Sequence, residues 1–478
     1  MSSKTNKKCC RDKCSLRNCS IRNLFYQYLF NYPSTRSTGS DNVNGSNSLT
    51  ESAGSDNVSE NNCPKCGCIK LYDEWCEICE HAFFKSNFQN WTSGNEIIDN
   101  FIRDTQLLAT TKFNYLEWIP YSSLNVIELI GRGGFGEVHS AMWIDGPRTK
   151  WNTEKKGWER YSNVKVAIKK IVDTNMEDFT ELFKELKAHL MSNNQVVGRF
   201  NVLRAYGITY NPETKKYMMV MTLADDGDLS DYLQKHFSTL TYIKQIEILY
   251  DIAIGLTQIH KSGLIHRDLH CRNVMCQGIK DRSLGRGEEY RFVIGDLGHA
   301  TLPIKDIDAN KVFGVLPYIA PEILGKKQYT QAADVYSFGI LMWEILTGLK
   351  AFGEFAHDSS LINRVYSGSR PEIPSNTPKL YADLMKKCWC KDIKERPSAH
   401  ELYMTIGTWL NQCLYVPNSK IAKELKKCDE LRSRVQQQEL YPNNFPYSTT
   451  HDVSELLESI KYELPEMPDL EIPESLNN

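Results

Sequence analysis

The chain has 478 residues, 57 Lys plus Arg against 59 Asp plus Glu, and a mean hydropathy of −0.45. That length accommodates two or three domains, or one large domain with tails, and the near balance of charge offers no global field for nucleic acid or an anionic membrane. No run of about 20 apolar residues argues for a membrane span, and the opening Met-Ser-Ser-Lys has neither a secretory core nor Gly at position 2 for myristoylation, so a cytoplasmic or nucleocytoplasmic chain is expected.

Residues 1–62 read as a basic arm and a linker. Cys9, Cys10, Cys14 and Cys19 lack paired spacing, and an aromatic stretch, Leu24–Phe30, follows them. A lipidated cysteine there is an open alternative. From Pro33 to Asn62 the chain is rich in Ser, Asn and Gly, with Gly-Ser-Asp-Asn-Val at 39–43 and again at 54–58; too little apolar surface is present to offset its ordering entropy.

Cys63-x-x-Cys66 and Cys76-x-x-Cys79 are a different matter. Two such pairs separated by nine residues bring four thiolates around one tetrahedral Zn²⁺, which substitutes for the core that so short a segment cannot build. A zinc-ribbon-like module or zinc-binding knuckle over 63–90 is expected, with Cys68 spare and His81 an alternative ligand. Four protein ligands close the site, so the metal is structural. Lys65 and Lys70 face Asp73, Glu74, Glu77 and Glu80, a balance that disfavours nucleic acid and favours protein contact. In the flanking segment 91–121, Ile97–Leu108 patterns as a short amphipathic helix whose apolar face is interrupted by Asp99, Asn100, Arg103 and Asp104. This helix and Trp118 are expected to pack on the lobe that follows.

Strands over Asn125–Ile130 and Glu137–Trp143 flank Gly131-Arg132-Gly133-Gly134-Phe135-Gly136, whose missing side chains let a backbone curl over phosphates. A polar insertion, Asp145–Asn163, reads as an exposed hairpin extension. The next strand ends Val166-Ala167-Ile168-Lys169, with Lys170 on the opposite face. A helical segment, Met176–Met191, offers Glu177, Glu181 and Glu185; the apolar strand Tyr217–Met221 leads to Thr222-Leu223-Ala224; and Asp225, Asp226 and Asp228 form either an acidic lip for a basic substrate or a solvated helix start. A helix over Tyr242–His260, with Ile246, Leu249, Ile252, Ala253 and Leu256 as its buried stripe, delivers Ile265-His266-Arg267-Asp268-Leu269-His270-Cys271-Arg272-Asn273. Gly295-Asp296-Leu297-Gly298 and Ala320-Pro321-Glu322 complete the series.

These motifs, in this order and at these separations, resemble the eukaryotic protein kinase family over residues 122–410. The resemblance implies an α+β, bilobal fold with a small β-rich amino-terminal lobe and a large helical carboxyl-terminal lobe. It also implies transfer of the ATP γ-phosphate to a protein hydroxyl with Mg²⁺ or Mn²⁺, with a protein substrate and protein regulators as partners. Ile130, Gly131, Gly133, Gly136, Val138 and Ala167 would surround the nucleotide, with Val138 over adenine, Met221 as gatekeeper, and Thr222 and Ala224 in the hinge. Lys169 would reach the phosphates, held by Glu185, with Glu181 the runner-up. Asp268 would accept or orient the acceptor proton, Asn273 and Asp296 would hold metal, and His266 would support the loop. Asp334 would brace the loop backbone, Glu322 would pair with Arg396, and Arg267 is the arginine that receives an activation-loop phosphate in regulated kinases.

Asp334–Ile345, Cys388-Trp389 and Arg396-Pro397 resemble the tyrosine-kinase-like branch. The order of cysteine pairs, Trp91–Gly94, Glu117–Pro120 and kinase is similar to a large expansion in arbuscular mycorrhizal fungi, expected to be serine/threonine kinases. Leu297 replaces the usual phenylalanine, His270 stands where serine/threonine kinases carry lysine, Arg272 precedes Asn273, and Val315 replaces a buttressing threonine. These departures keep a tyrosine or dual-specificity kinase, and a nucleotide-binding pseudokinase scaffold, as alternatives. Charges from Lys280 to Arg291 mark an enlarged loop. Between Asp296 and Glu322 only Thr301 and Tyr318 carry hydroxyls, and Tyr318 is expected to pack. Activation without phosphorylation is expected, Asp306 or Asp308 pairing with Arg267. The remainder, 411–478, reads as a charged helix over Asn418–Tyr441, a turn at Val453–Leu457 and a disordered acidic tail.

Overall fold

The computed structural model describes residues 62–63, 65–68, 70, 75–133, 136–152, 157–170, 179–193, 199–279, 289–303, 312–435 and 451–452. Cys9, Cys10, Cys14, Cys19, the linker before Asn62, most of the 280–291 loop, Asp306, Asp308 and Val453–Leu457 lie outside the described residues. In chain order the first elements are α1 (Glu77–Asn87), α2 (Glu96–Leu108), β1 (Glu117–Trp118), β2 (Leu124–Gly133), β3 (Gly136–Trp143), β4 (Arg148–Asn152), β5 (Gly157–Arg160), β6 (Val164–Lys170), α3 (Thr180–Ser192), β7 (Ala205–Asn211) and β8 (Lys216–Thr222). There follow α4 (Leu229–His236), α5 (Tyr242–Lys261), β9 (Val274–Ile279), β10 (Glu289–Ile294), β11 (Phe313–Gly314), α6 (Pro321–Leu324), α7 (Gln331–Thr347), α8 (Ser359–Tyr366), α9 (Lys379–Cys388), α10 (Ala399–Tyr415), α11 (Lys420–Val435) and β12 (His451–Asp452). The fold is bilobal, α+β and kinase-like. Its residues form two compact units: Met1–Asn125 with Met142–Val164 and Tyr206–Lys215, and Val126–Ala141 with Lys165–Ala205 and Lys216–Asn478.

In the first unit, Asn95 starts α2 by accepting from the amides of Ile97 and Ile98 at 2.9 and 3.3 Å. Ile98, Phe101 and Ile102 are buried along the helix. Asp99 was expected to break this face. It is instead buried within it, because Thr92 Oγ1 and the Ser93 amide each donate to its carboxylate at 2.7 Å. Burial alone would raise its pKa, but these bonds and Arg103 outweigh burial and hold it below the ordinary value. Strand β1 runs parallel to β7, Glu117 opposite Gly207 and Trp118 opposite Ile208. A Cβ on Gly207 would stand 1.9 Å from the Glu117 carbonyl oxygen, so this approach requires glycine.

The expected insertion hairpin forms as β4–β5, with Trp151 opposite Trp158, but it is not a bare extension. Trp158 lies 6.1 Å from Trp75, ring to ring, beside Phe84 and Tyr115, and its Nε1 donates to the buried Glu80 carboxylate at 2.8 Å. Burial raises the Glu80 pKa, while Trp158 works against the rise.

In the second unit, β8, β6, β3 and β2 lie side by side in that order. The antiparallel β6–β8 register sets Ala167 against Met221 and Lys169 against Met219. The predicted stripe of α5 is fully buried, and so is much of the rest of that helix, as suits the central helix of a helical lobe. Helix α10, opened by a reciprocal Ser398–Glu401 capping box, packs on α5, with Gly407 against the Tyr250 ring. The loop from Gly263 to Asn273 connects α5 to the β9–β10 hairpin, in which Val274 faces Ile294. Among the described residues no helix is long and apolar enough to cross a membrane.

Candidate active site

Strand β6 and helix α3 place Lys169 and Glu185 face to face. Lys169 Nζ donates to Glu185 Oε1 at 2.8 Å and to Asp296 Oδ1 at 3.0 Å. Lys169 and Glu185 are almost fully buried, whereas Glu181 is exposed beside Lys184, so Glu185 is the partner and the runner-up is not. Desolvation opposes charge on both members of the pair, but their mutual attraction exceeds it: the Glu185 pKa is held down and that of Lys169 is held up. Lys170 points away to Glu137, at 3.7 Å.

The loop carrying Asp268 is fixed from behind by Asp334. Its Oδ2 accepts from the His266 amide at 2.8 Å and its Oδ1 from the Arg267 amide at 2.9 Å, and His260 Nε2 also donates to Oδ2, at 2.8 Å. His266 is wholly buried. Its Nδ1 accepts the Asp268 amide at 3.2 Å, leaving Nε2–H for the Gly295 carbonyl at 3.1 Å, so the ring ties the loop to the strand end preceding Asp296. Asn273 Nδ2 donates to the Asp268 carbonyl at 2.8 Å and to Asp268 Oδ2 at 3.1 Å. His270 accepts the Arg272 amide at Nδ1 and turns Nε2–H to Asp268 Oδ1, 3.5 Å away. Burial would raise the Asp268 pKa, yet the neighbouring histidines, His270 foremost, bring it down to about 2. Arg267 and Asp296 both adopt left-handed backbone, φ +71° and +49°, a strain that such non-glycine residues carry at sites where their side chains are aimed.

A second polar cluster was not foreseen. Glu344, buried on α7, accepts from Cys271 Sγ at 3.0 Å, from the Ala351 amide at 2.9 Å and, by a short bond, from Tyr318 OH. This cluster locks the loop to the floor beneath it. Tyr318 is buried, as expected, and is thus withdrawn from solvent. Thr301 exchanges backbone bonds with Ile265 at 2.8 and 3.1 Å, and Arg267 lies over the Tyr329 ring at 4.4 Å. Arg396 forms a bidentate pair with Glu322 at 2.7 and 2.8 Å, both side chains buried.

Ala167 and Met221 are buried neighbours across β6–β8, and the Thr222 amide donates to the Arg204 carbonyl at 2.9 Å. Ile130 is exposed and Val138 half-buried on β2 and β3, while Ala224 is half-buried past the end of β8. Gly131 and Gly133 end β2, and Gly136 opens β3 with φ +113°. Asp228 caps α4 through the Asp231 amide at 2.9 Å and Asp226 accepts from the Gly278 amide at 2.7 Å, so these two serve the local backbone, while Asp225 lies 3.8 Å from Lys165.

In the first unit, the sulfurs of Cys63, Cys66, Cys76 and Cys79 all lie within 4.8 Å of one another. A tight turn presents the first pair, with the Gly67 amide on the Cys63 carbonyl at 2.8 Å. The second pair straddles the start of α1, Cys76 as the residue before the helix and Cys79 in its first turn, so among the described residues a turn and a helix present the four sulfurs. Four sulfurs at such spacing suit a soft, tetrahedral cation. Burial first, and then the neighbouring sulfurs, push the Cys76 thiol up to about 12, a resistance to ionisation that a dication relieves. Cys68 lies buried beside the four, and His81 turns to the Ala109 carbonyl at 3.0 Å rather than to the sulfurs.

A family model described as protein tyrosine and serine/threonine kinase matches residues 124–406. The chain is 33% identical over 307 residues to the proto-oncogene tyrosine-protein kinase ROS of Mus musculus, covering 61% of this chain and 12% of that protein. It is 26% identical over 310 residues to the probable serine/threonine-protein kinase roco7 of Dictyostelium discoideum, covering 63% and 11%. It is also 26% identical over 305 residues to the cyclic GMP-binding protein C of the same organism, covering 60% and 11%. The chain thus spans about a tenth of the length of these relatives; one is named a tyrosine kinase, one a serine/threonine kinase, and the third name carries neither term.

Proposed function

The chain belongs to the protein tyrosine and serine/threonine kinase family, and from that premise we propose that it transfers the ATP γ-phosphate to a hydroxyl of a protein substrate, serine or threonine rather than tyrosine. The observation that carries this reading is the Lys169 ammonium held between Glu185 and Asp296, which is the arrangement that positions triphosphate oxygens.

Lys169 would hold the α/β-phosphates. Asp296 and the amide oxygen of Asn273, whose N–H groups are turned to Asp268, would hold Mg²⁺ or Mn²⁺, and the bound cation would neutralise charge on the phosphates. Asp268, ionised at neutral pH, would orient the acceptor hydroxyl and take its proton. Ile130, Val138, Ala167 and Met221 would enclose the adenine, with Thr222 and Ala224 along its polar edge and Gly131, Gly133 and Gly136 over the phosphates. His266, Asp334 and the Glu322–Arg396 pair would keep the loop in place. His270 Nε2–H, directed at Asp268, would stand in for the usual lysine at the acceptor carboxylate, which supports turnover over a pseudokinase scaffold.

The cysteine cluster would hold a structural Zn²⁺ and serve protein contact. A catalytic domain over 122–410, a tyrosine-kinase-like and fungal-expansion ancestry, and a cytoplasmic or nucleocytoplasmic location complete the proposal. The test is ATP/Mg²⁺ turnover on a mixed peptide library, wild type against Asp268→Asn. Transfer to serine and threonine by the wild type alone is expected; transfer to tyrosine only would reverse the specificity, and no transfer by purified wild type would sink the reading.

A further inference from the structure

We propose that the carboxyl-terminal segment docks in cis, through His451–Asp452, on the activation-segment strand Phe313–Gly314 and there competes with the acceptor peptide. This rests on the phosphoryl-transfer reading for what the edge does, but not for the docking itself. Phe313 pairs antiparallel with Asp452 and Gly314 with His451, the two strands forming a small sheet of their own.

The location gives this pairing its meaning. A Cβ on Gly314, whose φ is +137°, would stand 3.6 Å from Asp268 Oδ1 and 3.3 Å from Ile319 Cγ1, so the strand borders the carboxylate that would take the acceptor proton. Opposed residues of an antiparallel pair have Cα atoms about 4.5–5.5 Å apart. Whatever lies against Gly314 therefore passes within roughly 10 Å of that carboxylate. An extended peptide gains main-chain hydrogen bonds by adding itself to such an edge. The tail and an acceptor arriving by this route would need the same ones.

The tail also has a fixed origin on the same unit. In α11, Leu425 is buried, Asp429 Oδ1 accepts from the Tyr242 amide at 2.9 Å and Glu424 Oε1 from the Lys379 amide at 2.8 Å. Residues 436–450 would span roughly 50 Å if fully extended, ample reach for one chain to fold back on itself. Because the segment is joined covalently to α11, it meets this edge as an intramolecular partner, so even a weak strand contact competes.

Two measurements test the proposal on the otherwise intact protein: steady-state peptide phosphorylation, and hydrogen exchange at the Phe313–Val315 amides in an Asp268→Asn background. Each compares the full chain with Asp452→Pro and with a chain ending at Val435. Both changes are expected to lower the peptide KM by about fivefold while leaving kcat within twofold, and to speed exchange at those amides. A synthetic peptide of residues 445–456 should then inhibit the shortened enzyme competitively. Unchanged exchange overturns the docking whatever the activity, and faster exchange with an unchanged KM overturns the competition. If no form transfers phosphate, the kinase reading fails, while the exchange result still decides the docking.

Discussion

The loop around Asp268 and the module around Cys63 are held in opposite ways. The loop is a net of buried polar atoms in which distant residues close several of the bonds: Asp334 for two loop amides, Gly295 for His266, Glu344 for Cys271. The module has four clustered sulfurs and a hydrophobic cluster of Trp75, Phe84, Ala109 and Tyr115. A polar net is vulnerable to the loss of one partner, because the atom left behind remains buried. A sulfur cluster that holds an ion would be vulnerable to its loss, because four ligands converge on that one centre.

The sharpest break between the two comes from metal. Under the proposed zinc occupancy, chelation or Cys76→Ser is expected to unfold the module, since zinc supplies about 10 kcal/mol or more to small structural sites. The readouts are zinc content and Trp75 fluorescence, and the hydrogen-bonded loop should keep its exchange protection. In the loop, Asp334→Ala strands the His266 and Arg267 amides and should cost about 3–5 kcal/mol, seen as a lowered Tm together with a fall in turnover. Trp158→Phe keeps an aromatic ring against Trp75 but deprives Glu80 of its donor, a loss of about 1–3 kcal/mol in local unfolding by hydrogen exchange of α1.

The smallest effect sharpens the contrast through pH. Burial pushes the Asp251 carboxyl up to about 6, although the Phe292 amide and Arg199 act against it. Between about pH 4 and 6 the folded state therefore keeps a proton that the unfolded chain has lost, so stability falls as pH rises through that window. Asp251→Asn should flatten this slope in thermal melts without altering the behaviour of the cysteine module.

Much of this was legible in the residues, for a physical reason: glycines, the Asp268–Asn273 spacing and alternating apolar strands act locally, and local chemistry leaves a local pattern. Glu185 was preferred to Glu181 by resemblance, and the geometry of α3 agrees. What escaped notice is non-local. Glu344 joins Cys271 and Tyr318 from another helix, Trp158 meets Glu80 across 78 positions, and no periodicity announces either. Asp99 misled for a related reason, since only the preceding Thr92 and Ser93 turn a charge on an apolar face into a satisfied one. The cysteine spacing identified its cluster but not the secondary structure that presents it.

The contact of Trp158 with Glu80 also bears on where the protein is cut for expression. A span starting at residue 122 would retain the hairpin but discard Trp75, Phe84 and Tyr115, the aromatic faces its indole lies against. The indole and the hairpin face around it would then be exposed on the fragment. Self-association of such a fragment would then reflect where the chain was severed, and would be no guide to how the whole protein assembles.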